Sequence, residues 1–267
     1  MTTTPLTVAV AQAASSASGD VAITVSRSAL LATRSAQRGA RLVVFPELSL
    51  VDYDLEVLSR PDAWFSDDDA RLDPLREACR ADRVWAVVGA PVRSADGRRS
   101  LAAVIVAGDG EVLIHPKVHL RGPERDLFDP GDPDYPAGPD DLLDIDGWPA
   151  AVAVCADASV PGHAQRAAEA GAALYVVSSY YGPGEHERMG VHMAARAMDH
   201  RMFTLCANHA RTPSRDSCGG SGIWGPDGHC DWRAGFGVET LTEELDPHHR
   251  LALVAADAEA RGETVPG

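Results

Sequence analysis

The chain has 267 residues, of which 45% are hydrophobic, and a formal net charge of −15. This length and composition predict a packed globular enzyme with one large α/β domain or two small ones. The negative charge argues against nucleic acid and anionic membranes as partners, because their phosphate groups would be repelled.

Neither a secretion signal nor a membrane span is visible in the sequence. The first residues lack a basic segment followed by an apolar one, and the five cysteines at positions 79, 155, 206, 218 and 230 form no Cys-x-x-Cys pair. An odd number of scattered cysteines favours reduced thiols over a disulfide framework. We therefore expect a cytoplasmic protein.

Strand and helix patterns follow one another through the first half of the chain. Period-2 alternation predicts a strand over residues 6–13, and an apolar helical face predicts a helix over 20–38. Further strands are predicted over 42–45, 84–90, 101–107 and 111–114, and a second helix over 67–81. Gly108-Asp109-Gly110 predicts a hairpin between the last two strands.

The second half begins with a stretch rich in Pro, Gly and Asp. Residues 115–141 have no sustained period, which predicts a long ordered loop of the kind that borders functional sites. Strands are then predicted over 142–145, 150–154, 173–178, 202–208, 221–224, 229–232 and 251–255, and helices over 160–170 and 185–200. Hairpins interrupt the strand–helix alternation, so we expect a mixed sheet in one domain over 1–257, with a flexible tail over 258–267.

Three reactive side chains come directly after predicted buried strands. Glu47 follows the run LVVFP, Lys117 follows VLIHP, and Cys155 follows AAVAV. A carboxylate, an ammonium and a thiol at strand ends are the groups that covalent acyl chemistry requires. Taken singly, each residue has a simpler explanation as a surface carboxylate, a solvated cation or a small core thiol, so only their combination supports catalysis.

Other polar clusters do not predict a metal site or a cofactor. The acidic residues between positions 124 and 146 follow no calcium-loop pattern and are expected to be solvated. His115 and His119 have the spacing of a metal-binding pair, but Pro116 breaks a helix there and no third ligand is evident. We expect a structural role for His119 and a protein that needs no cofactor.

Several short motifs occur in a fixed order along nearly the whole chain. They are VAQ at 10–12, FPEL at 45–48, PKVHL at 116–120, GPE at 122–124, VCAD at 154–157, ARA at 195–197, AN at 207–208 and GS at 220–221. Together they resemble the nitrilase superfamily of carbon–nitrogen hydrolases, and the joint pattern is far more specific than any one motif. The resemblance implies a four-layer α-β-β-α sandwich with mixed sheets, assembled as a homodimer or higher homo-oligomer.

The resemblance also implies a role for each residue of the site. Glu47 corresponds to the general base, Lys117 to the electrostatic stabiliser, Cys155 to the nucleophile and Glu124 to a second acid that positions Lys117 and the substrate. The backbone N–H of Ala156 is expected to complete the oxyanion hole.

Three tyrosines are expected near the mouth of the pocket. Tyr53 follows the Glu47 segment, and Tyr180 and Tyr181 follow the strand predicted over 173–178. They would contact the substrate rather than react with it.

Two departures from the family pattern concern the segment after the cysteine. The usual Cys-Tyr-Asp or Cys-Trp-Asp becomes Cys155-Ala156-Asp157, and the common Arg-Phe-Pro-Glu becomes Ser159-Val160-Pro161-Gly162. The first change keeps the backbone donor but reshapes the wall behind the thiol.

These observations predict a cofactor-free amidase that hydrolyses a small amide through a cysteine thioester. A nitrilase or an N-carbamoyl amidohydrolase is the nearest alternative, since both would use the same three residues. Two further alternatives are a catalytically silent member that binds a ligand or protein, and an enzyme that transfers the acyl group to an amine.

Overall fold

The computed structural model describes residues 4–14, 20–52, 55–66, 68–213, 215–231 and 233–261. The strands are β1 (Leu6–Gln12), β2 (Leu42–Val44), β3 (Trp85–Arg93), β4 (Arg99–Val106), β5 (Val112–Pro116), β6 (Leu143–Ile145), β7 (Trp148–Val154), β8 (Leu174–Ser178), β9 (Phe203–Ala207), β10 (Gly222–Trp224) and β11 (Glu239–Leu245). The helices are α1 (Val21–Ala36), α2 (Asp73–Asp82), α3 (Glu124–Leu127), α4 (Pro161–Glu169), α5 (His186–His200) and α6 (Pro247–Ala260).

The strands form two mixed sheets, as the sequence predicts. The first has the order β11-β1-β2-β3-β4-β5, and the second has the order β10-β9-β8-β7-β6. In each sheet three central strands run parallel, β1-β2-β3 and β9-β8-β7, while the flanking strands pair antiparallel.

The two sheets pack face to face with helices on their outer surfaces. Strands β1 to β4 contact β7, β8 and β9 across the interface, α1 and α2 cover the first sheet, and α4 and α5 lie on the second. The predicted α-β-β-α sandwich is therefore confirmed. Because the central strands are buried on both faces, the runs Val8–Ala11 and Leu174–Val177 are apolar throughout instead of alternating.

Local sequence signals explain where several elements begin and turn. The Asp20 carboxylate accepts hydrogen bonds from the backbone N–H groups of Ala22 and Ile23, which caps α1. The β6–β7 hairpin turns at Asp146 and Gly147, whose φ angles of 52° and 85° suit a tight turn with two left-handed residues.

Four predicted segments differ from the structure by more than a shift of a few residues. The predicted strand over 251–255 is wrong, because these residues lie inside α6; a short apolar run rich in Ala and Leu fits either element. Residues 229–231 belong to no strand, and Trp232 lies outside the described residues. Helix α2 begins at Asp73, after a separate 3₁₀ turn over Ala70–Leu72. The long loop over 115–141 contains the short helix α3.

The sequence did not indicate strand β11. Its segment ETLTEEL is polar except for two leucines, yet it pairs antiparallel with the whole of β1 at the edge of the first sheet. An edge strand exposes much of its surface, so its sequence carries little of the apolar alternation that identifies inner strands.

The end of the chain was predicted as a domain boundary at residue 257 and a tail over 258–267. The described helix α6 extends to Ala260, and residues 262–267 lie outside the described residues, so the tail stays a prediction. Among the residues that the structure describes, no helix combines the length and the apolar character needed to cross a membrane.

Candidate active site

Strand ends of both sheets meet at one edge of the interface. Strand β2 leads to Glu47 and β5 to Lys117 in the first sheet, while β7 leads to Cys155 and β8 to Tyr180 in the second. The backbone N–H of Glu47 donates to the carbonyl oxygen of Ser179 at 3.3 Å, which ties the two edges together. Face-to-face packing therefore brings side chains far apart in sequence to the same place.

Lys117 forms the centre of a buried charge cluster. Its Nζ donates to Glu47 Oε1 at 2.7 Å and to Glu124 Oε1 at 2.8 Å. All three side chains are at most 4% exposed. Burial alone would lower the pKa of Lys117, but the negative charges around it, with Glu47 first, raise that pKa well above its ordinary value. Lys117 is thus held as a cation.

Glu47 is fully buried, and this changes its acidity. Burial raises the pKa of its carboxyl to about 7, and the charge of Lys117 limits the rise. Among the described residues, no group donates a hydrogen bond to Oε2 of Glu47. The Cys155 thiol still acts as a donor toward the Glu47 carboxyl group, and this contact lowers the pKa of Glu47. The imidazole of His209 contacts the backbone carbonyl of Glu47 through Nε2 at 2.5 Å. Glu47 is thus a buried carboxylate poised to exchange a proton near neutral pH.

Cys155 lies at a strained turn between β7 and a short 3₁₀ helix over Cys155–Ser159. Its φ angle is 45°, in the left-handed region that non-glycine residues rarely adopt. Its thiol donates to the carbonyl oxygen of Tyr180 at 3.3 Å. Burial, and then the charge of Glu47, raise the pKa of the thiol, so Cys155 rests in the protonated form.

Asp157 connects the loops that carry the lysine and the cysteine. Its Oδ1 accepts from the backbone N–H of His119 at 2.7 Å and contacts His119 Nδ1 at 2.9 Å. Its Oδ2 accepts from the backbone N–H groups of Val118 and Val154 at 3.3 and 3.0 Å. Burial opposes ionisation, but the hydrogen bonds from His119 and the backbone lower the pKa of Asp157. The structural role expected for His119 agrees with these contacts.

A cavity of about 220 Å³ opens beside the thiol. Its lining residues are Lys117, Arg121, Glu124, Cys155, Ala156, Ser159, Tyr180, Tyr181, Glu185 and Arg188. Seven of the eight residues predicted for the site are described; six of them line this cavity, and the seventh, Glu47, lies behind it against Lys117. The eighth, Tyr53, lies outside the described residues.

Sequence analysis assigned no role in the site to four of the lining residues. They are Arg121, Ser159, Glu185 and Arg188. Arginines and glutamates in loops or on exposed helix faces are usually solvated, so nothing in their spacing distinguishes them. Ser159 alone carried a signal, as a departure from the family pattern.

A second buried polar cluster lies next to the site. One ligand atom each from His115, Asp157 and His163 lies within 4.8 Å of the others. Burial lowers the pKa of both histidines to about 4, so they are neutral at neutral pH. Both oxygens of Asp157 already accept hydrogen bonds, so the two neutral histidines and the ionised Asp157 are better explained as a structural scaffold than as a metal centre.

Comparison with known proteins identifies the family of the chain. The family model described as Carbon-nitrogen hydrolase matches residues 7–250. The chain belongs to the carbon–nitrogen hydrolase family. It is therefore a hydrolase of the nitrilase type.

Two curated relatives of this carbon–nitrogen hydrolase are 28–30% identical. The "Hydrolase in pqqF 5′region" of Pseudomonas protegens is 28% identical over 210 residues, which cover 78% of this chain and 72% of that protein. A formamidase of Pseudomonas syringae pv. tomato is 30% identical over 157 residues, which cover 57% of this chain and 44% of the formamidase. The second match thus spans less than half of that enzyme.

Solved structures extend the similarity over nearly the whole hydrolase. Nit3 of Saccharomyces cerevisiae, a member of branch 10 of the nitrilase superfamily, superposes with a TM-score of 0.85 at 22% identity, covering 94% of both chains. An amidase from Nesterenkonia sp. AN1 has a TM-score of 0.79 at 25% identity, covering 96% of this chain and 99% of that one. At 22% identity, the similarity to Nit3 concerns the fold alone.

Proposed function

We propose that this protein hydrolyses a small amide through a thioester on Cys155, with Glu47 as general base and Lys117 as oxyanion stabiliser. The observation that carries the proposal is that the three reactive side chains lie in one site. Lys117 is bonded to Glu47 and Glu124 at 2.7 and 2.8 Å, and it lines the same cavity as the Cys155 thiol. The Nesterenkonia amidase supports it, because variants of that enzyme hold acrylamide or acetamide adducts at its active-site cysteine.

The first step forms a bond between Cys155 Sγ and the amide carbonyl carbon. Because burial raises the pKa of the thiol, the proton leaves during attack and not before it, and Glu47 accepts it. The carbonyl electron pair moves to oxygen, where Lys117 and the backbone N–H of Ala156 stabilise the charge. One preorganised donor of this kind is typically worth about 3–4 kcal/mol in the transition state.

The second step breaks the carbon–nitrogen bond. Glu47 returns its proton to the leaving nitrogen, the oxyanion pair reforms the carbonyl group, and a thioester remains on Cys155. Water then attacks the thioester while Glu47 takes one of its protons. The carbon–sulfur bond breaks, the thiol recovers that proton, and the acid leaves, so the enzyme returns to its starting state.

Glu124 has a positioning role in this scheme. Its Oε1 accepts from Lys117, while its Oε2 accepts from the backbone N–H of Arg121 at 2.8 Å. The carboxylate therefore fixes the direction of the ammonium group relative to the thiol. It would also keep the loop that follows Lys117 close to the substrate.

The test is ammonia release from a panel of amides, nitriles and ureido acids, with and without Cys155→Ala. We expect amides to react, and the substitution to reduce the rate by at least about 10³-fold because no other nucleophile replaces the thiol. Cys230→Ala is the matched control, since this half-buried cysteine lies outside the cavity. Full amide hydrolysis by Cys155→Ala would refute the scheme.

The same panel separates the alternatives. A nitrilase would release ammonia and acid from nitriles, and an N-carbamoyl amidohydrolase would release carbon dioxide from ureido acids. Product partitioning with added hydroxylamine would reveal acyl transfer. A silent member would give no product and no fast, substrate-protected labelling of Cys155.

A further inference from the structure

The base and the nucleophile of the proposed reaction are carried by different sheets. Glu47 follows β2 of the first sheet, whereas Cys155 follows β7 of the second. Their separation therefore depends on contacts that cross the interface between the sheets. The backbone N–H of Glu47 makes one such contact, to the carbonyl oxygen of Ser179, but its length of 3.3 Å is at the weak end of hydrogen bonding. The carbonyl group of Glu47 makes a shorter one.

The turn after β2 directs that carbonyl group away from its own segment. Leu48 has a φ angle of 52°, in the left-handed region that non-glycine residues rarely adopt. Hydrogen bonds within the turn run to the carbonyl oxygens of Pro46 and Leu48. The carbonyl of Glu47 is buried with the rest of the residue and finds its donor outside the turn. A buried carbonyl without a donor is costly, so this partner matters for how the turn is held.

The donor is the imidazole of His209, two residues beyond the end of β9 in the second sheet. Its Nε2 lies 2.5 Å from the carbonyl oxygen of Glu47. Because a carbonyl oxygen can only accept, Nε2 carries the ring proton. Burial lowers the pKa of His209 to about 4, so the ring is neutral at pH 7 and its Nδ1 carries no proton. The contact thus requires one particular tautomer.

The charged groups that face His209 compensate each other. The charge of Asp52 raises the pKa of the ring and that of Arg215 lowers it. These two residues also form an ion pair, with an N–O distance of 3.2 Å. Burial therefore keeps the ring neutral in the range where the enzyme is expected to work.

Several contacts hold His209 itself in place. The Ser217 hydroxyl donates to its backbone carbonyl at 2.7 Å, and the ring of Tyr180 packs against the imidazole with centroids 5.6 Å apart. The preceding residue, Asn208, binds both backbone groups of Tyr181, accepting from its N–H at 2.8 Å and donating to its carbonyl at 3.3 Å. His209 is therefore fixed to the segment that borders the catalytic cavity.

We propose that His209 is a positioning residue for the reaction, whose Nε2–H holds the backbone of Glu47 so that the carboxyl group stays against Lys117 and within reach of the Cys155 thiol. This inference rests on the proposed function and adds a residue to the same site. His209 touches no reacting atom and acts only through Glu47. The carbonyl of Tyr180, whose ring packs on His209, accepts from the thiol, so base and nucleophile are held by one neighbourhood of the second sheet.

Two substitutions separate the hydrogen bond from the packing of the ring. His209→Gln keeps a donor close to the position of Nε2 but loses the ring, while His209→Phe keeps the ring against Tyr180 but loses the donor. We expect His209→Phe to lower kcat for an amide about 10–100-fold, with KM changed by less than about threefold, because a small displacement of a catalytic group is enough. His209→Gln should keep most of kcat. The reverse order, or equal activity of the two variants, would overturn the inference.

The pH profile provides a measurement that a purely structural role would not change. The charge of Lys117 lowers the pKa of Glu47, so a carboxyl group released from Lys117 should titrate at higher pH. In His209→Phe the rising limb of kcat/KM should therefore move up by about half a pH unit or more. His163→Phe is the matched control, since this buried imidazole is bonded to the Tyr175 hydroxyl and not to Glu47, and its limb should not move. An unmoved limb in His209→Phe would contradict the proposal.

Nitrogen-15 NMR of the imidazole rings tests the contact without turnover and without His209→Phe. The proposal requires the Nε2–H tautomer of His209 at pH 7, assigned by the loss of its signals in His209→Gln. The Nδ1–H tautomer would overturn the inference even if amides are hydrolysed.

Thiol alkylation separates failure of this inference from failure of the proposed function. If no amide is hydrolysed, the proposed function fails, but the reaction of Cys155 with iodoacetamide still needs a base for the thiol proton. That reaction should be slowed about tenfold or more in His209→Phe and little in His209→Gln. Equal rates in the two variants would refute the role of His209.

Discussion

Glu47 and Cys155 form an acid–thiol pair in which the thiol keeps its proton at rest. Burial raises the pKa of Glu47 to about 7 and also raises that of the Cys155 thiol. A resting thiolate is therefore disfavoured, and the reaction needs a base that is ionised while the thiol is not. Lys117 makes this possible, because its positive charge keeps the pKa of Glu47 from rising further.

The first prediction concerns the pH dependence of the reaction. Below pH 7 Glu47 is increasingly protonated and cannot accept the thiol proton, so kcat/KM should rise with pH and level off above about 7. Glu47→Gln should lower kcat/KM by about 10²–10⁴-fold, the usual contribution of a general base. Steady-state assays between pH 5 and pH 9 measure both effects.

Glu243→Gln is the control for that profile. Burial raises the pKa of Glu243 too, but this residue lies on β11, away from the cavity. Its substitution should leave the curve unchanged. A flat profile between pH 5 and pH 8 in the unmodified enzyme would show that Glu47 is not the base.

At the scale of elements, the position of Glu47 depends on how closely strand β3 approaches the segment after β2. A Cβ atom at Gly89 would lie 2.2 Å from the backbone nitrogen of Leu48 and 2.6 Å from the carbonyl oxygen of Pro46. Gly89 also forms two hydrogen bonds with this segment. Its carbonyl oxygen accepts from the backbone N–H of Leu50, and its backbone N–H donates to Ser49 Oγ, each at 3.0 Å. The glycine thus permits a contact that any side chain would prevent.

The second prediction follows from this contact. Gly89→Ala should push the backbone around Glu47 away from Lys117, lowering stability by about 3 kcal/mol or more, the upper range for overpacking, and reducing kcat as well. Thermal unfolding and amide hydrolysis measure the two effects. Gly138→Ala is the control, because Gly138 has an extended backbone with φ of −171° and open space at the Cβ position. Similar losses in both variants would contradict the argument.

At the scale of the whole molecule, several histidines are buried without charge. Burial lowers the pKa of His115, His163 and His209 to about 4. Between pH 6.5 and pH 4 the unfolded chain binds protons at these positions that the folded chain refuses, so folding stability falls as pH decreases. Glu47 acts in the opposite direction, because its raised pKa makes the folded state bind a proton between pH 7 and pH 4.5.

The third prediction is a loss of thermal stability in acid. Each histidine contributes at most about 3 kcal/mol over this range, so three of them outweigh one carboxyl group by several kcal/mol. Below pH 4, protonation of Asp157, whose pKa is lowered, removes further stability. Calorimetry should find Tm at pH 4.5 about 10 °C or more below that at pH 7.5.

Substitution of single histidines tests the cause of that loss. His163→Gln should reduce the decrease in Tm, since glutamine can still bond to the Tyr175 hydroxyl that contacts His163 Nδ1 at 2.8 Å. His229→Gln should not, because the His229 side chain is 71% exposed. Identical pH dependence in all three proteins would rule out His163 as a source of the loss.

The homo-oligomeric assembly and the cytoplasmic location remain predictions. The resemblance to the family implies a homodimer or higher homo-oligomer, and Val191 and Met198 on α5 are 66% and 48% exposed. Apolar side chains at such positions are compatible with an interface but do not require one.

Much of the site was predictable because its chemistry is local to short motifs. Glu47, Lys117 and Cys155 each end a run that is apolar for structural reasons, and their order along the chain matches one family. The mixed sheets followed from hairpins between strand–helix units. The errors lie where local pattern is weak, as in the polar edge strand β11 and the Ala- and Leu-rich run in the middle of α6.

Only the tertiary structure decided which groups act together and with what acidity. Lys117 and Glu47 are 70 residues apart in sequence yet 2.7 Å apart in space, and their separation depends on how two sheets pack. Burial of Glu47 sets its pKa, and the geometry of two loops brings the Arg121 guanidinium to Ser159 in the wall of the cavity. A sequence specifies residue types and local periodicity, whereas desolvation and charge pairing arise from contacts that exist only in the folded chain.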